Sequence, residues 1–152
     1  MTVSLSDVKR DSSKLGDYLE QCDSWFSEGA ESLKITGNLE TQTAEHAAWL
    51  GRYDEIRAEL KHLKNIYSSK TEAVRGELYK KLKEHHPREL GKQDIERYID
   101  ADHTYQTWVD LYHEVSFAHD KFESLVEAYK AKGFSIGHIV KLRVAALEDA
   151  VV

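Results

Sequence analysis

Two pairs of side chains have the types and the spacing that could support chemistry. Each pair joins a carboxylate to a histidine three positions later: Glu59 with His62, and Asp110 with His113. In helical di-metal proteins, a Glu-x-x-His motif places both ligands on one helix face, and two such motifs face each other across a bundle. The second pair here has an aspartate, which is one methylene shorter, and two further inward carboxylates would be required. A helical metal enzyme is therefore the third of three possible functions. The other two are non-enzymatic and are described below.

The sequence also lacks the motifs of other enzyme classes. The sequence contains no phosphate-binding loop, no G-x-S-x-G elbow, no H-E-x-x-H and no C-x-x-C. The single cysteine, Cys22, excludes an internal disulfide, and it falls on the apolar face of the first helical segment. We therefore expect no enzymatic activity, no cofactor and no bound metal.

Charge is distributed unevenly along the 152 residues. The net charge of −6 argues against an ordinary nucleic-acid-coating protein, whose basic excess is usually visible in the total. Residues 1–50 carry 4 basic and 9 acidic side chains, residues 51–92 carry 11 and 7, and residues 93–152 carry 6 and 11. A basic block between two acidic segments predicts a polyanion site in the middle of the chain. The alternative is a solvated helix with interspersed charge.

Composition predicts a folded protein with long helices. An apolar fraction of 41% with 10% aromatic residues is too high for disorder, and one proline leaves few points at which a helix must break. The first residues lack the apolar core of a signal peptide, and no window approaches the roughly 18 apolar residues of a membrane span. We expect a soluble intracellular protein that does not interact with membranes.

Hydrophobic periodicity predicts an all-α protein whose residues 1–152 form a single helical domain. The predicted helices cover residues 1–33, 41–85, 94–132 and 136–147. The second and third repeat their apolar residues in alternating steps of four and three, which suits a partner helix and predicts a long antiparallel hairpin. Pro87 ends the second helix, because the residue before a proline disfavours the α region. Gly133 is expected to close the third helix as a C-cap, so that a short C-terminal helix follows.

Additional apolar residues lie off these narrow repeats. Examples are Ile66, Leu78, Leu82, Ile95, Ile99 and Leu111. A second set of apolar residues indicates a second contact surface, and we therefore predict a homo-oligomer. The alternative is a compact four-helix bundle in which the first and last helices cover these residues.

The C-terminal part of the chain follows a recognisable order of residues. A helix ends in a basic residue, a glycine and an aromatic residue follow, and an Ile-rich segment with a basic residue near its end completes the pattern. The residues that carry it are Lys132, Gly133, Phe134, Ile136, His138, Ile139 and Arg143. This order resembles the C-terminal signature of the UvsY family, the recombination mediator proteins of T-even-like phages. With the stretch 31–35 and the Lys/Leu-rich helix after Trp49, the resemblance covers about residues 30–147.

Two departures from the family pattern concern its C-terminus and its basic pair. Residues 144–147 replace the aromatic residue and glycine with which members usually finish. Arg75 matches one member of the DNA-contacting basic pair in the long helix, but Ala73 stands where a lysine is expected. Neighbouring lysines of the same helix are expected to supply that charge.

The resemblance implies a small all-α protein that forms a ring-like homo-oligomer through a short C-terminal assembly helix. Such mediators bind single-stranded DNA, weaken the grip of the single-strand DNA-binding protein and help to load the recombinase. The implied location is the cytoplasm of the phage's host cell. The alternative is a helical oligomeric adaptor module without nucleic-acid activity, whose basic block is only a solvated face.

The expected site residues follow from the basic block and the resemblance together. The residues expected to hold DNA phosphates are Lys64, Lys70, Arg75, Lys80, Lys81 and Lys83. The residues expected to support assembly are Trp108, Phe134, Ile136, Ile139 and Leu142. Tyr67 and Tyr79 lie close enough to the basic positions to stack on bases. For Tyr67 we favour helix packing, because it belongs to the repeated apolar positions.

Overall fold

The computed structural model describes residues 2–149, and the side chains of residues 2–147. Within these residues the chain forms five α-helices and no strand, which confirms the all-α prediction. The helices are α1 Leu5–Arg10, α2 Leu15–Glu31, α3 Leu39–His85, α4 Lys92–Asp100 and α5 His103–Asp149. The chain divides into two compact units. Unit 1 comprises residues 1–59 and 120–152, and unit 2 comprises residues 60–119.

The N-terminal segment is broken where a single helix over residues 1–33 is predicted. Ser4 and Asp7 begin α1 with a reciprocal capping box, in which each side chain accepts the other's backbone N–H. The carboxylate of Asp11 then accepts hydrogen bonds from the backbone N–H and the hydroxyl of Ser13, at 3.0 and 2.7 Å. This local bonding competes with helix continuation, and a 3-10 turn at Ser12–Lys14 separates α1 from α2.

A similar local bond interrupts the helix predicted over residues 94–132. The carboxylate of Asp102 accepts the backbone N–H of Tyr105 at 2.9 Å. Asp102 thereby acts as an N-cap for α5, and α4 ends two residues earlier at Asp100.

Gly133 lies inside α5 and does not end it, so the separate helix predicted over residues 136–147 is the last part of α5. Among the described residues, the one with a left-handed backbone is Gly37, at φ 76°. A Cβ at Gly133 would lie 2.8 Å from His46 Nε2. The glycine therefore allows the imidazole to approach the helix, and it does not serve as a C-cap.

Aromatic side chains form the centre of unit 1. Tyr53 is fully buried, with its ring centroid 5.2 Å from that of Tyr129 and 6.3 Å from that of Phe122. His46, further towards the start of α3, stacks on Tyr129 at 6.1 Å. Within this unit α3 and α5 therefore pack in antiparallel order. Cys22 of α2 joins the core, and burial raises the pKa of its thiol to about 12.

The C-terminus of α2 is held by two side chains of α5. The hydroxyl of Tyr129 donates to the carbonyl oxygen of Gly29 at 2.9 Å, and Lys132 Nζ donates to that of Ser32 at 2.7 Å. These bonds satisfy carbonyls at a helix end that lack intrahelical partners. Burial lowers the pKa of the Lys132 ammonium, and burial with the Lys132 charge lowers the pKa of His46.

Unit 2 packs one stretch of α3 against α4 and one stretch of α5. Tyr67 is buried and lies 5.9 Å from the Trp108 ring, while Arg75, two turns later on α3, reaches Tyr105. This order is again antiparallel. The residues buried here are Leu60, Leu63, Tyr67, Thr71, Ile95, Ile99, Val115, Ala118 and His119. Ile95 and Ile99 thus belong to the core of unit 2, and they do not supply the predicted second contact surface.

Replacing Gly29 by alanine should destabilise the protein. The added Cβ would lie 2.7 Å from Tyr53 Cζ and 2.8 Å from Leu125 Cδ2, both in buried side chains. We expect Gly29→Ala to lower the free energy of unfolding by about 1–3 kcal/mol, measured by chemical denaturation. Gly51→Ala is the matched control, because a Cβ there meets no atom within 4 Å. The control should gain up to about 1 kcal/mol from helix propensity. Equal stability of the two variants would contradict this packing.

Candidate nucleic-acid interface

All six residues predicted to hold phosphates lie on α3 in unit 2. The stretch of α3 in this unit, residues 60–85, carries seven basic and three acidic side chains. Lys70, Lys80, Lys81 and Lys83 are exposed, whereas Lys64 and Arg75 are half-buried. Because α3 is continuous to His85, every one of these residues is held on a regular helix and none on a loop.

The basic residues surround α3 and do not form one stripe. Lys64 and Arg75 are eleven positions apart, about three helical turns, and therefore point in nearly the same direction. Lys70 and Lys81 have the same separation and point in a second direction. Each residue of an α-helix is rotated by about 100° from the one before it. The first pair therefore lies on one side of the buried face of α3, and the second pair lies on the other side.

The two remaining lysines lie on the outward side of α3. Lys80 and Lys83 point away from the buried face, within the last two turns before the helix ends at His85. With Lys81 they form a cluster of three exposed ammonium groups, which we call the terminal lysine cluster. This cluster is the densest exposed positive charge on α3 of unit 2.

Arg75 has an aromatic partner within unit 2. Its Nη1 donates to the hydroxyl of Tyr105 at 3.2 Å, and its Cζ lies 5.9 Å from the Tyr105 ring centroid. The hydrogen bond to Tyr105 raises the pKa of Arg75 above its ordinary value. A guanidinium has five N–H donors, so this bond leaves donors for a phosphate while fixing the side chain. Arg75 therefore combines a packing role with the capacity to bind an anion.

Lys70 has a comparable partner on α5. Its Nζ lies 5.5 Å from the ring centroid of Trp108, a distance typical of a cation–π contact. Trp108 is half-buried and packs against Tyr67. Trp108, which we predicted at an assembly interface, therefore already has two packing partners inside unit 2.

The tyrosines of unit 2 divide into packing residues and one exposed residue. Tyr67 is 3% exposed, which confirms the packing interpretation, and Tyr79 is half-buried. Tyr98 of α4, by contrast, is 52% exposed, and its ring centroid lies 5.7 Å from that of His86. Tyr98 is not among the site residues that the sequence predicts. The feature of the sequence that could have indicated an exposed Tyr98 is its position outside the apolar repeat, next to Ile99.

The residues predicted for assembly on the last part of α5 differ in exposure. Phe134 and Leu142 are 82% and 58% exposed, whereas Ile139 is half-buried and Ile136 is buried in unit 1. Val144 and Leu147 are also exposed. A run of exposed apolar side chains on one helix is typical of a protein-contact surface.

The carboxylate–histidine pairs occupy ordinary environments. Glu59 Oε2 accepts a hydrogen bond from the Tyr18 hydroxyl at 2.6 Å within unit 1. In unit 2, His62, Asp110 and His113 are exposed. The Glu59 carboxylate thus has a structural partner in the fold.

A scan against protein-family models, a search of curated proteins and a search of solved structures each found no match to this chain. The resemblance to the UvsY family therefore stays a prediction from the sequence. Among the described residues, no helix combines the length and the apolar character that crossing a bilayer requires. The charge, exposure and position of the basic residues of α3 are the features that favour a nucleic-acid interface.

Proposed function

We propose that this chain is a recombination mediator of a T-even-like phage. It would bind single-stranded DNA as a ring-like homo-oligomer and promote loading of a recombinase onto strands covered by single-strand DNA-binding protein. The observation that carries the proposal is the net-basic stretch of α3 at residues 60–85, with five exposed lysines, in a chain of net charge −6. Charge concentrated against the sign of the whole chain favours a local polyanion site.

The arrangement of the lysines favours a single strand over a duplex. The basic groups point in several directions around α3, so a ligand must curve to meet all of them. Duplex DNA is stiff, with a persistence length of about 50 nm, and bending it closely around one helix is costly. A flexible single strand follows such a surface easily, and its phosphates supply sequence-independent affinity.

Assembly would multiply this affinity. One terminal lysine cluster offers three ammonium groups and is expected to bind weakly on its own. Several copies on one oligomer act together through effective concentration, which raises the avidity without new contacts. The exposed apolar residues of α5, Phe134 and Leu142 among them, support such an assembly. The acidic segments 1–50 and 93–152 would face basic surfaces of the recombinase or the single-strand DNA-binding protein, in the cytoplasm of the host.

A helical oligomeric adaptor without nucleic-acid activity is the second candidate. It is favoured by the contacts of Lys70 with Trp108 and of Arg75 with Tyr105, because both cations already serve the packing of unit 2. The function of the terminal lysine cluster distinguishes the two candidates. A mediator would bind phosphate with its three exposed side chains, whereas in an adaptor they would belong to a solvated face.

DNA binding tests the mediator function directly. We expect fluorescence anisotropy with a labelled single strand to show binding at about 50 mM salt that weakens about tenfold or more at about 200 mM, because phosphate contacts release counterions. Reversing the terminal lysine cluster with Lys80→Glu, Lys81→Glu and Lys83→Glu should abolish this binding. A matched control is Lys9→Glu, Lys14→Glu and Lys34→Glu, which changes the net charge equally at exposed positions of unit 1. The control variant should retain most of the affinity.

Two results would count against the mediator. Absence of binding at low salt would exclude it and favour the adaptor. Equal loss of binding in both triple variants would show that the total charge controls affinity, and not the terminal lysine cluster.

Light scattering tests the assembly. We expect the wild-type protein to have the mass of several chains, and the double variant Phe134→Glu with Leu142→Glu to have the mass of one, with its helical circular dichroism unchanged. Both side chains are exposed, so charges there should disturb contacts between copies more than the fold. Ile136→Glu is the contrasting variant and should lose stability, because Ile136 is 4% exposed. A monomeric wild-type protein would contradict the ring.

A further inference from the structure

An exposed aromatic pair adjoins the basic end of α3. Tyr98 is the one exposed tyrosine among the described residues, at 52%. Its ring lies against the imidazole of His86, with a centroid distance of 5.7 Å and an interplanar angle of 41°. His86 directly follows the last residue of α3, so the pair links α4 to the end of the basic helix within unit 2.

The imidazole of His86 is fixed by the backbone that follows it. The N–H of Arg88 donates to His86 Nδ1 at 3.2 Å, and the carbonyl oxygen of Arg88 lies 3.0 Å from the same nitrogen. His86 is half-buried, whereas much of the Tyr98 ring remains open to solvent. A ring that is supported by a fixed neighbour and still exposed loses little rotational freedom when a planar group stacks on it.

The charges around this pair are asymmetric. The terminal lysine cluster occupies the last two turns of α3, three to six positions before His86. α4 carries both signs of charge: Asp94 and Glu96 are acidic, whereas Arg97 directly precedes Tyr98 and Lys92 begins the helix. The denser positive charge at the end of α3 therefore attracts an anionic ligand at Tyr98 towards the terminal lysine cluster.

We propose that Tyr98, supported by His86, is a stacking platform for a base of single-stranded DNA whose neighbouring phosphates bind the terminal lysine cluster. Every base has a planar π-face, so such stacking adds affinity without sequence preference. Duplex DNA keeps its bases stacked internally and offers none to the platform. This inference rests on the proposed DNA binding and assigns it a base-contacting residue outside α3.

The test compares two strands of equal length, oligo-dT and an abasic strand with the same number of phosphates. With the full-length protein at low salt, Tyr98→Ala should weaken anisotropy-measured binding of oligo-dT by about tenfold, a typical loss for one stacked base. Binding of the abasic strand should not change. Tyr98→Phe and Tyr98→Trp keep a ring and should retain affinity for oligo-dT.

Controls separate stacking from folding and from general aromatic exposure. Phe117→Ala removes another exposed aromatic side chain of unit 2, 67% exposed on α5, and should leave oligo-dT binding unchanged. Photocrosslinking of wild-type protein to a strand containing 5-iodouracil should label the peptide that contains Tyr98, and this measurement needs no variant.

The outcomes distinguish the platform from the DNA binding on which it rests. Equal loss of oligo-dT and abasic binding in Tyr98→Ala, no loss of either, or a crosslink confined to other peptides would overturn the platform while leaving DNA binding intact. Failure of the wild-type protein to bind either strand would overturn the proposed function, and the platform with it.

Discussion

Two hydrogen bonds from α5 to the end of α2 are the contacts on which the rest of unit 1 depends. Tyr129 and Lys132 donate to the carbonyl oxygens of Gly29 and Ser32, at a helix end where cations are favoured. The absence of a side chain at Gly29 allows Tyr53 and Leu125 to pack closely against the same end of α2. The two hydrogen bonds also explain a buried ammonium, whose desolvation would otherwise be costly.

Lysine residues have a different role in unit 2. The lysines of the terminal lysine cluster are exposed, whereas Lys70 and Arg75 pack against aromatic rings. The cations on α3 are therefore of two kinds. The first kind contacts an aromatic ring of unit 2, and the second kind is exposed to solvent without such a contact. The proposed DNA site relies most on the second kind, because ammonium groups without a packing role can bind phosphate without disturbing the core.

The all-α class and the long basic helix follow from the sequence. Apolar periodicity is repeated over many residues, and Pro87 disfavours the α region in the residue before it. Other features depend on partners distant in sequence. Gly133 has the pattern of a C-cap, but His46 fills the space beside it and the helix continues. Ile136 matches an assembly motif, yet it is buried in unit 1. For the candidate site, the sequence indicates the charge on α3, but the exposure of Tyr98 depends on which face of α4 is buried, and Ile95 and Ile99 occupy that face.

Lysine footprinting tests the central claim, that residues 60–85 of α3 hold single-stranded DNA. Exposed lysines are acylated with and without oligo-dT, and the modified peptides are quantified by mass spectrometry. The account predicts that DNA protects Lys80, Lys81 and Lys83, while exposed lysines of unit 1, such as Lys9 and Lys34, react at the same rate in both samples. Unchanged reactivity of the three α3 lysines with the strand bound would contradict it, as would protection confined to unit 1.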